Sequence, residues 1–176
     1  MAGAAIVVGN PKAGSRTLTV AKAVMAGLAD CVPGAADPVV IDVAEYATGL
    51  FDWENAELNE LTAKVAACDL IVAASPTYKA TYTGILKGFF DRYGNDGLRG
   101  VIVVPVMVGA APIHALAPEV FMRPLFVELG AVVPSRSLYV LESKLEQLDD
   151  VVETWASTAR PLITASLSAR ELAGEM

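Results

Sequence analysis

Three short segments carry residues able to hold a small anion and a flat ring. The first is Gly9-Asn10-Pro11-Lys12-Ala13-Gly14-Ser15-Arg16-Thr17, set between an apolar run and a helical pattern. A helix start presents unpaired N–H groups and roughly half a positive charge. Asn10, Ser15 and Thr17 add neutral donors, and Lys12 and Arg16 add charge, a set that suits a terminal phosphate monoester. The same residues also read as a plain capped helix start, with Ser15 or Thr17 as N-cap and both cations solvated. The segment matches neither G-x-x-x-x-G-K-[ST] nor G-x-G-x-x-G. Asp42 only weakly fills the place of the acidic residue that follows the second strand of a dinucleotide site. A phosphate held here would end a ligand rather than cross the sheet as a pyrophosphate.

The second segment is Ser75-Pro76-Thr77-Tyr78-Lys79-Ala80-Thr81-Tyr82-Thr83-Gly84. Pro76 forces a turn, and the N–H groups of residues 77–80 can then face one edge of a planar ring, with Tyr78 packed beside it. Thr83 is placed to cap the next helix. An ordinary strand-to-helix loop with a surface Tyr and Lys has the same composition, and Tyr82 suits either packing or the site. Lys87, Asp91 and Arg92 read as solvated i,i+4 pairs. The third segment, Val108-Gly109-Ala110-Ala111-Pro112-Ile113-His114, has small residues that let backbone approach a ligand closely. His114 serves either as a cap or surface residue or as a ligand contact.

The elements that must position these segments alternate along the chain. Strands are expected at Ala4–Val8, Pro38–Val43, Asp69–Ala74, Val101–Val108 and within Val132–Tyr139. Helical spacing marks Leu18 to Leu28, a short helix around Leu58, Leu61 and Val65, and Gly84 to Tyr93. It also marks His114 to Leu129 with a kink at Pro124, and a last stripe from Leu145 to Ala159 interrupted at Pro161. Five strand–helix alternations predict an α/β fold with an open parallel sheet and helices on both faces. In the order 2-1-3-4-5, ligands sit beyond the carboxyl ends of strands one and three, where the winding reverses.

The 176 residues fit a single domain, 1–176, and 13 basic against 20 acidic residues give a net charge of −7. That balance argues against binding nucleic acid or an anionic membrane through bulk charge. With 54% hydrophobic residues the chain is not a disordered one. Cys31 and Cys68 read as two buried thiols in a reducing compartment, and one histidine, His114, leaves no basis for a His-built metal site. The start has no basic region before its apolar run. The uncharged stretch Gly100–Pro118 is broken by glycine and proline, so a soluble, cytoplasmic protein is expected. The apolar content points to a homodimer or homotetramer, with Phe51 and Trp53 either in that interface or covering the core.

Residues 9–17 resemble the G-S-P-R-x-x-S-x-T loop of the NADPH-dependent FMN reductase family, and residues 75–87 resemble its S-P-x-Y-x-x-S-Y-x-G-x-L-K segment. His114-Ala115-Leu116, Arg123-Pro124-Leu125 and Leu129-Gly130-Ala131 are similar to the H-L-L…[RK]-P-L…L-G-A helix of its alkanesulfonate-system branch. The likeness runs from about Ile6 to Tyr139. Asn10 and Lys12 stand where Ser and Arg are common, Val120 where some members carry Tyr, and Pro118 adds a helix breaker.

The resemblance implies a flavodoxin-like three-layer sandwich, a five-stranded parallel sheet of order 2-1-3-4-5, FMN binding, and flavin reduction by NADPH or NADH. It implies that Asn10, Lys12, Ser15, Arg16 and Thr17 hold the FMN phosphate. Pro76, Thr77, Tyr78, Lys79, Gly109 and Ala110 would contact the isoalloxazine. Hydride chemistry on the flavin needs no catalytic side chain and no metal. Reduced flavin would pass to a partner monooxygenase. Alternatives on the same fold are an FMN-containing quinone or azo reductase and a flavodoxin-type electron carrier; a phosphate-binding module without redox chemistry is a further one.

Overall fold

All five residues of Ala4–Val8 are buried, as a run of Ala, Ile and Val apolar on both faces requires, and they form β1. In the computed structural model, which describes residues 3–174, four more strands follow. They are β2 (Val39–Asp42), β3 (Leu70–Pro76), β4 (Ile102–Gly109) and β5 (Leu138–Leu141). One parallel sheet results, of order β2-β1-β3-β4-β5, as expected. The helices are α1 (Arg16–Gly27), α2 (Ala56–Ala66), α3 (Gly84–Phe90), α4 (Arg123–Glu128) and α5 (Leu148–Gly174). Alternation along the strands divides the core. Val7, Ala73, Val103 and Met107 face Phe89, Phe90 and Phe126 on one side. Ile6, Val72 and Val104 face Val20, Val24, Met25 and Ile163 on the other.

Several expected elements differ. The second strand lies at the sheet edge with Val39 and Val40 exposed, so only its second half is buried. The fifth is four residues long. Val132 touches the sheet only through a bridge to Ile102, and pairing resumes at Leu138 opposite Val106. Pro105 lies in the gap: Val103 donates its N–H to Val132, and two residues on the same edge of β4 has no N–H to give. The chain between is clamped from α4 instead. Arg123 donates to the carbonyls of Val133 (2.6 Å) and Ser135 (2.7 Å) and pairs with Glu119, which accepts the Ser137 N–H.

The expected helix from His114 to Leu129 is broken well before Pro124. A 3-10 turn covers Pro112–His114, and a π-helical turn, Pro118–Met122, runs directly into α4 just ahead of Pro124, the wider turn falling where the proline has no N–H to give. Conversely, α5 runs straight through Pro161. Burial of Ala156, Ala159 and Ile163 on one face outweighs a proline penalty of about 3 kcal/mol. The uncharged stretch after Gly100 is β4 and its following turns, and no helix among the described residues is long and apolar enough to cross a membrane. Cys68 is buried, whereas Cys31 is only partly so; both are free thiols.

The register sets up the functional rim. Val8 lies opposite Ala74, and Pro76 lies opposite Val108. The loops after β1, β3 and β4 therefore leave the sheet at one edge, on both sides of the point where the winding reverses.

Candidate functional site

The first loop is shaped by its own side chains. Asn10 accepts the Lys12 N–H through Oδ1 (3.0 Å) and donates from Nδ2 to Thr17 Oγ1 (3.1 Å). Gly14 turns with φ +63°, and its N–H is taken by the buried carboxylate of Asp42 at 2.9 Å. Ser15 caps α1 in extended backbone, accepting the Leu18 N–H. No acidic residue lies in the first turn of α1, so the positive end of the helix is not offset from within. Lys12 is exposed, and the Arg16 guanidinium reaches Glu142, with Nη2 and Oε2 3.2 Å apart.

The second loop is a tight hairpin. Tyr78 and Thr81 exchange backbone hydrogen bonds of 2.8 and 3.1 Å, and Lys79 and Ala80 between them both have positive φ, +52° and +67°. This is the two-residue turn that glycine or asparagine usually supplies. Holding two other residues there stores backbone strain of the kind that collects at ligand sites. The expectation that the N–H groups of residues 77–80 all face a ligand needs correction. Thr77 donates to Val108 (2.7 Å) and Tyr78 to Thr81, which leaves those of Lys79 and Ala80.

Beneath the hairpin, Ser75 accepts the Thr83 N–H at 3.0 Å and donates to the Pro76 carbonyl at 2.8 Å. Thr83 caps α3, accepting the Leu86 N–H at 3.4 Å, and its hydroxyl donates to the Gly9 carbonyl in a short bond. That bond ties the first loop to the second. The third loop packs tightly against both neighbours. A Cβ at Gly109 would stand 2.1 Å from Tyr139 Oη and 2.8 Å from Thr77 Oγ1. Tyr139 donates to the Ala111 carbonyl (2.8 Å), while the buried Thr77 hydroxyl has no partner among the described residues.

These loops enclose one cavity of about 510 Å3. Asn10, Lys12, Ser15, Arg16, Thr17, Pro76 and Tyr78 line it, together with Gly14, Val108 and Glu142. Thr77, Lys79, Gly109 and Ala110 belong to the flanking loops without forming its wall; Val108 fills the place expected of Gly109 and Ala110. His114 lies elsewhere, in an apolar cleft with Ala80, Leu116, Val120 and Phe121. Lys87 pairs with Asp91 as expected, but Arg92 does not join them. It donates to the carbonyls of Leu50 (2.9 Å) and Asp52 (2.8 Å) and to Asn59 Oδ1 (2.7 Å), with its guanidinium 5.4 Å from the Trp53 ring centre. Phe51 and Trp53 stay more than half exposed, with the edge of the Phe51 ring against buried Gly88 of α3. Glu142 was invisible to sequence reasoning, because nothing in its own neighbourhood signals the first loop. Asp42 carries the weak signal noted above, and its carboxylate accepts the backbone N–H of Gly14.

Comparison with known proteins adds an independent line. The sequence profile described as NADPH-dependent FMN reductase matches residues 3–146. The NADH-dependent FMN reductase SfnE of Pseudomonas putida is 32% identical over 157 residues, covering 86% of this chain and 82% of that protein. An FMN reductase (NADPH) of Pseudomonas aeruginosa is 30% identical over 144 residues, covering 79% and 76%. Among solved structures, the apo form of an NADH:FMN oxidoreductase superposes with a TM-score of 0.75 at 25% identity, covering 90% of each chain. With the flavodoxin-like strand order, the rim of three loops and a profile match across most of its length, the chain belongs to the NADPH-dependent FMN reductase family.

Proposed function

We propose that FMN binds across the carboxyl rim, its phosphate at the start of α1 and its ring against the β3–α3 hairpin, and that the chain works there as an NAD(P)H-dependent FMN reductase. The observation that carries this is the single cavity in which Lys12, Arg16 and the first turn of α1 face Pro76 and Tyr78. Its volume lies within the range of roughly 300–1,000 Å3 typical of small-molecule sites. The donor set also fits. Asn10, Ser15 and Thr17 offer hydroxyl and amide groups beside two cations.

When bound, FMN supplies the hydride acceptor for a reduced nicotinamide, so the side chains need not form a covalent bond or relay a proton. Their work is to bind and orient. Lys12 and Arg16 neutralise phosphate charge, and the free N–H groups of the first turn of α1 point at the phosphate oxygens. The N–H groups of Lys79 and Ala80, which the hairpin leaves without a backbone acceptor, would stabilise negative charge at the polar edge of the ring. Exposed Ala110 leaves room for the ring beside the β4 loop, Gly109 beneath it makes room for Tyr139, and half-exposed Tyr78 covers one side. The site is built from strand ends and helix starts and needs no metal ligand.

Reduced FMN is then released to a partner monooxygenase. The cytoplasm supplies the nicotinamide. The apolar cleft beside Ala80, rimmed by Ile113, Leu116, Val120 and Phe121, is the face we assign to a homodimer or homotetramer contact. Anaerobic titration of FMN-loaded protein with NADPH and with NADH tests the activity: the yellow absorbance is expected to bleach stoichiometrically, with free FMN turned over as a substrate. A protein that keeps one FMN through turnover while reducing quinones would instead be the quinone or azo reductase. An FMN-loaded protein that neither nicotinamide bleaches would be an electron carrier.

A further inference from the structure

The cavity wall contains one side chain whose charge opposes the ligand assigned to it. Glu142 follows directly on β5 and faces the first loop across the mouth of the sheet. Its carboxylate lies 3.2 Å from the Arg16 guanidinium, with the two side chains 38% and 67% exposed. An ion pair this exposed contributes little to holding the fold together. Lys12, by contrast, makes no ion pair among the described residues, and no acid lies in the first turn of α1. The wall therefore offers an anion one free cation, one helix terminus and one cation already shared with a carboxylate.

We infer that Glu142 is a specificity- and release-setting residue: it competes with the phosphate of FMN for Arg16, loosening the phosphorylated flavin relative to its unphosphorylated form. The inference rests on the phosphate placement proposed above. A dianion entering the site must draw Arg16 away from Glu142 and then stand near an unpaired carboxylate. Both effects act on the phosphate alone and leave contacts to the ring untouched. A reductase that hands reduced flavin onward gains from this, because the phosphate sub-site that gives selectivity does not also trap the product.

The test uses the full chain and two probes, FMN and riboflavin, titrated by flavin fluorescence at low salt. Glu142→Gln is expected to raise the FMN-to-riboflavin affinity ratio about three- to tenfold and to slow FMN dissociation in proportion, a gain that shrinks at 0.5 M salt as screening shortens. Lys12→Ala/Arg16→Ala, measured alongside, separates the two layers. If that double variant lowers the ratio but Glu142→Gln leaves it unchanged, Glu142 is no competitor. If Glu142→Gln lowers it, Glu142 aims Arg16 at the phosphate. Either result overturns this inference and leaves the phosphate placement standing. If the double variant leaves the ratio unchanged, the placement itself is wrong and the inference falls with it.

Discussion

Removing the two cations of the first loop is the most direct probe of the site. Lys12 is exposed and unpaired among the described residues, and Arg16 is shared with Glu142. At about 4 Å in water, one charge against a dianion is worth about 2 kcal/mol. Screening and the ordering of long side chains reduce this to about 1–1.5 kcal/mol for each cation. Lys12→Ala/Arg16→Ala together should therefore cost about 2–3 kcal/mol, roughly 30- to 150-fold in FMN affinity. Of the single variants, Arg16→Ala is the more damaging, since it also leaves Glu142 uncompensated in the cavity wall. Riboflavin, which lacks the phosphate, should weaken less than threefold in the same titration. The FMN loss should fall steeply with added salt. A double variant that binds FMN within twofold of the parent, or one in which FMN and riboflavin weaken in parallel, would refute the assignment of the phosphate to α1.

Three further perturbations test how the rim is built. A Cβ at Gly9 would stand 2.3 Å from Leu86 Cβ and 2.7 Å from its Cα, so Gly9→Ala must push α3 off the sheet. About 2–3 kcal/mol of destabilisation is expected, seen as a fall of roughly 4–12 °C in Tm; an unchanged Tm would mean that α3 is free to shift. Thr83→Val keeps the shape but strips the Gly9 carbonyl and the α3 cap of their partner, with an expected cost of about 2–3 kcal/mol in urea unfolding. Burial pushes the Glu119 carboxyl up, but the Arg123 guanidinium and the Ser137 N–H outweigh it and hold the group below its ordinary value. Its contribution is thus complete above the usual carboxylate pKa, about 4.3, and is lost as pH falls through the depressed value. The Tm of the parent should drop more steeply between pH 6 and 3.5 than that of Glu119→Gln, and parallel curves would contradict this.

The strands of the sheet centre were legible because a strand buried on both faces must be apolar throughout, and Ala4–Val8, Leu70–Ala74 and Ile102–Val108 are. The loop residues were legible because each followed such a run. What escaped reading depends on partners distant in sequence. Nothing local says that Arg92 turns away from Asp91 to three acceptors between Leu50 and Asn59. Nothing near Val132 says that the sheet will lose it until Leu138, because the cause is a proline on the neighbouring strand. Pro161 misled for the opposite reason: its local penalty is real, but the packed face of α5 outweighs it. The hairpin at Lys79-Ala80 carries no glycine or asparagine to announce its positive φ angles, and nothing local shows that backbone takes the N–H groups of Thr77 and Tyr78 just ahead of it.

If the hydride chemistry belongs to the bound flavin, selection on this chain acts on the placement of three loops to within fractions of an ångström, and the structure shows where that precision resides. The first loop is fixed to the second by the Thr83 hydroxyl on Gly9, and the second to the third by the Thr77 N–H on Val108. The third is held by Tyr139, from β5, on Ala111. Each tether joins the ends of strands whose register sets which residues meet, Val8 with Ala74 and Pro76 with Val108. A slip of one residue in any of these pairs would exchange the faces of the strand and carry its loop out of the cavity. The tethering residues should therefore tolerate substitution less well than Tyr78 or Lys12, whose side chains line the cavity without tying one loop to another. Loss of a tether should show as weaker binding of FMN and riboflavin alike, while loss of Lys12 should be felt through the phosphate alone.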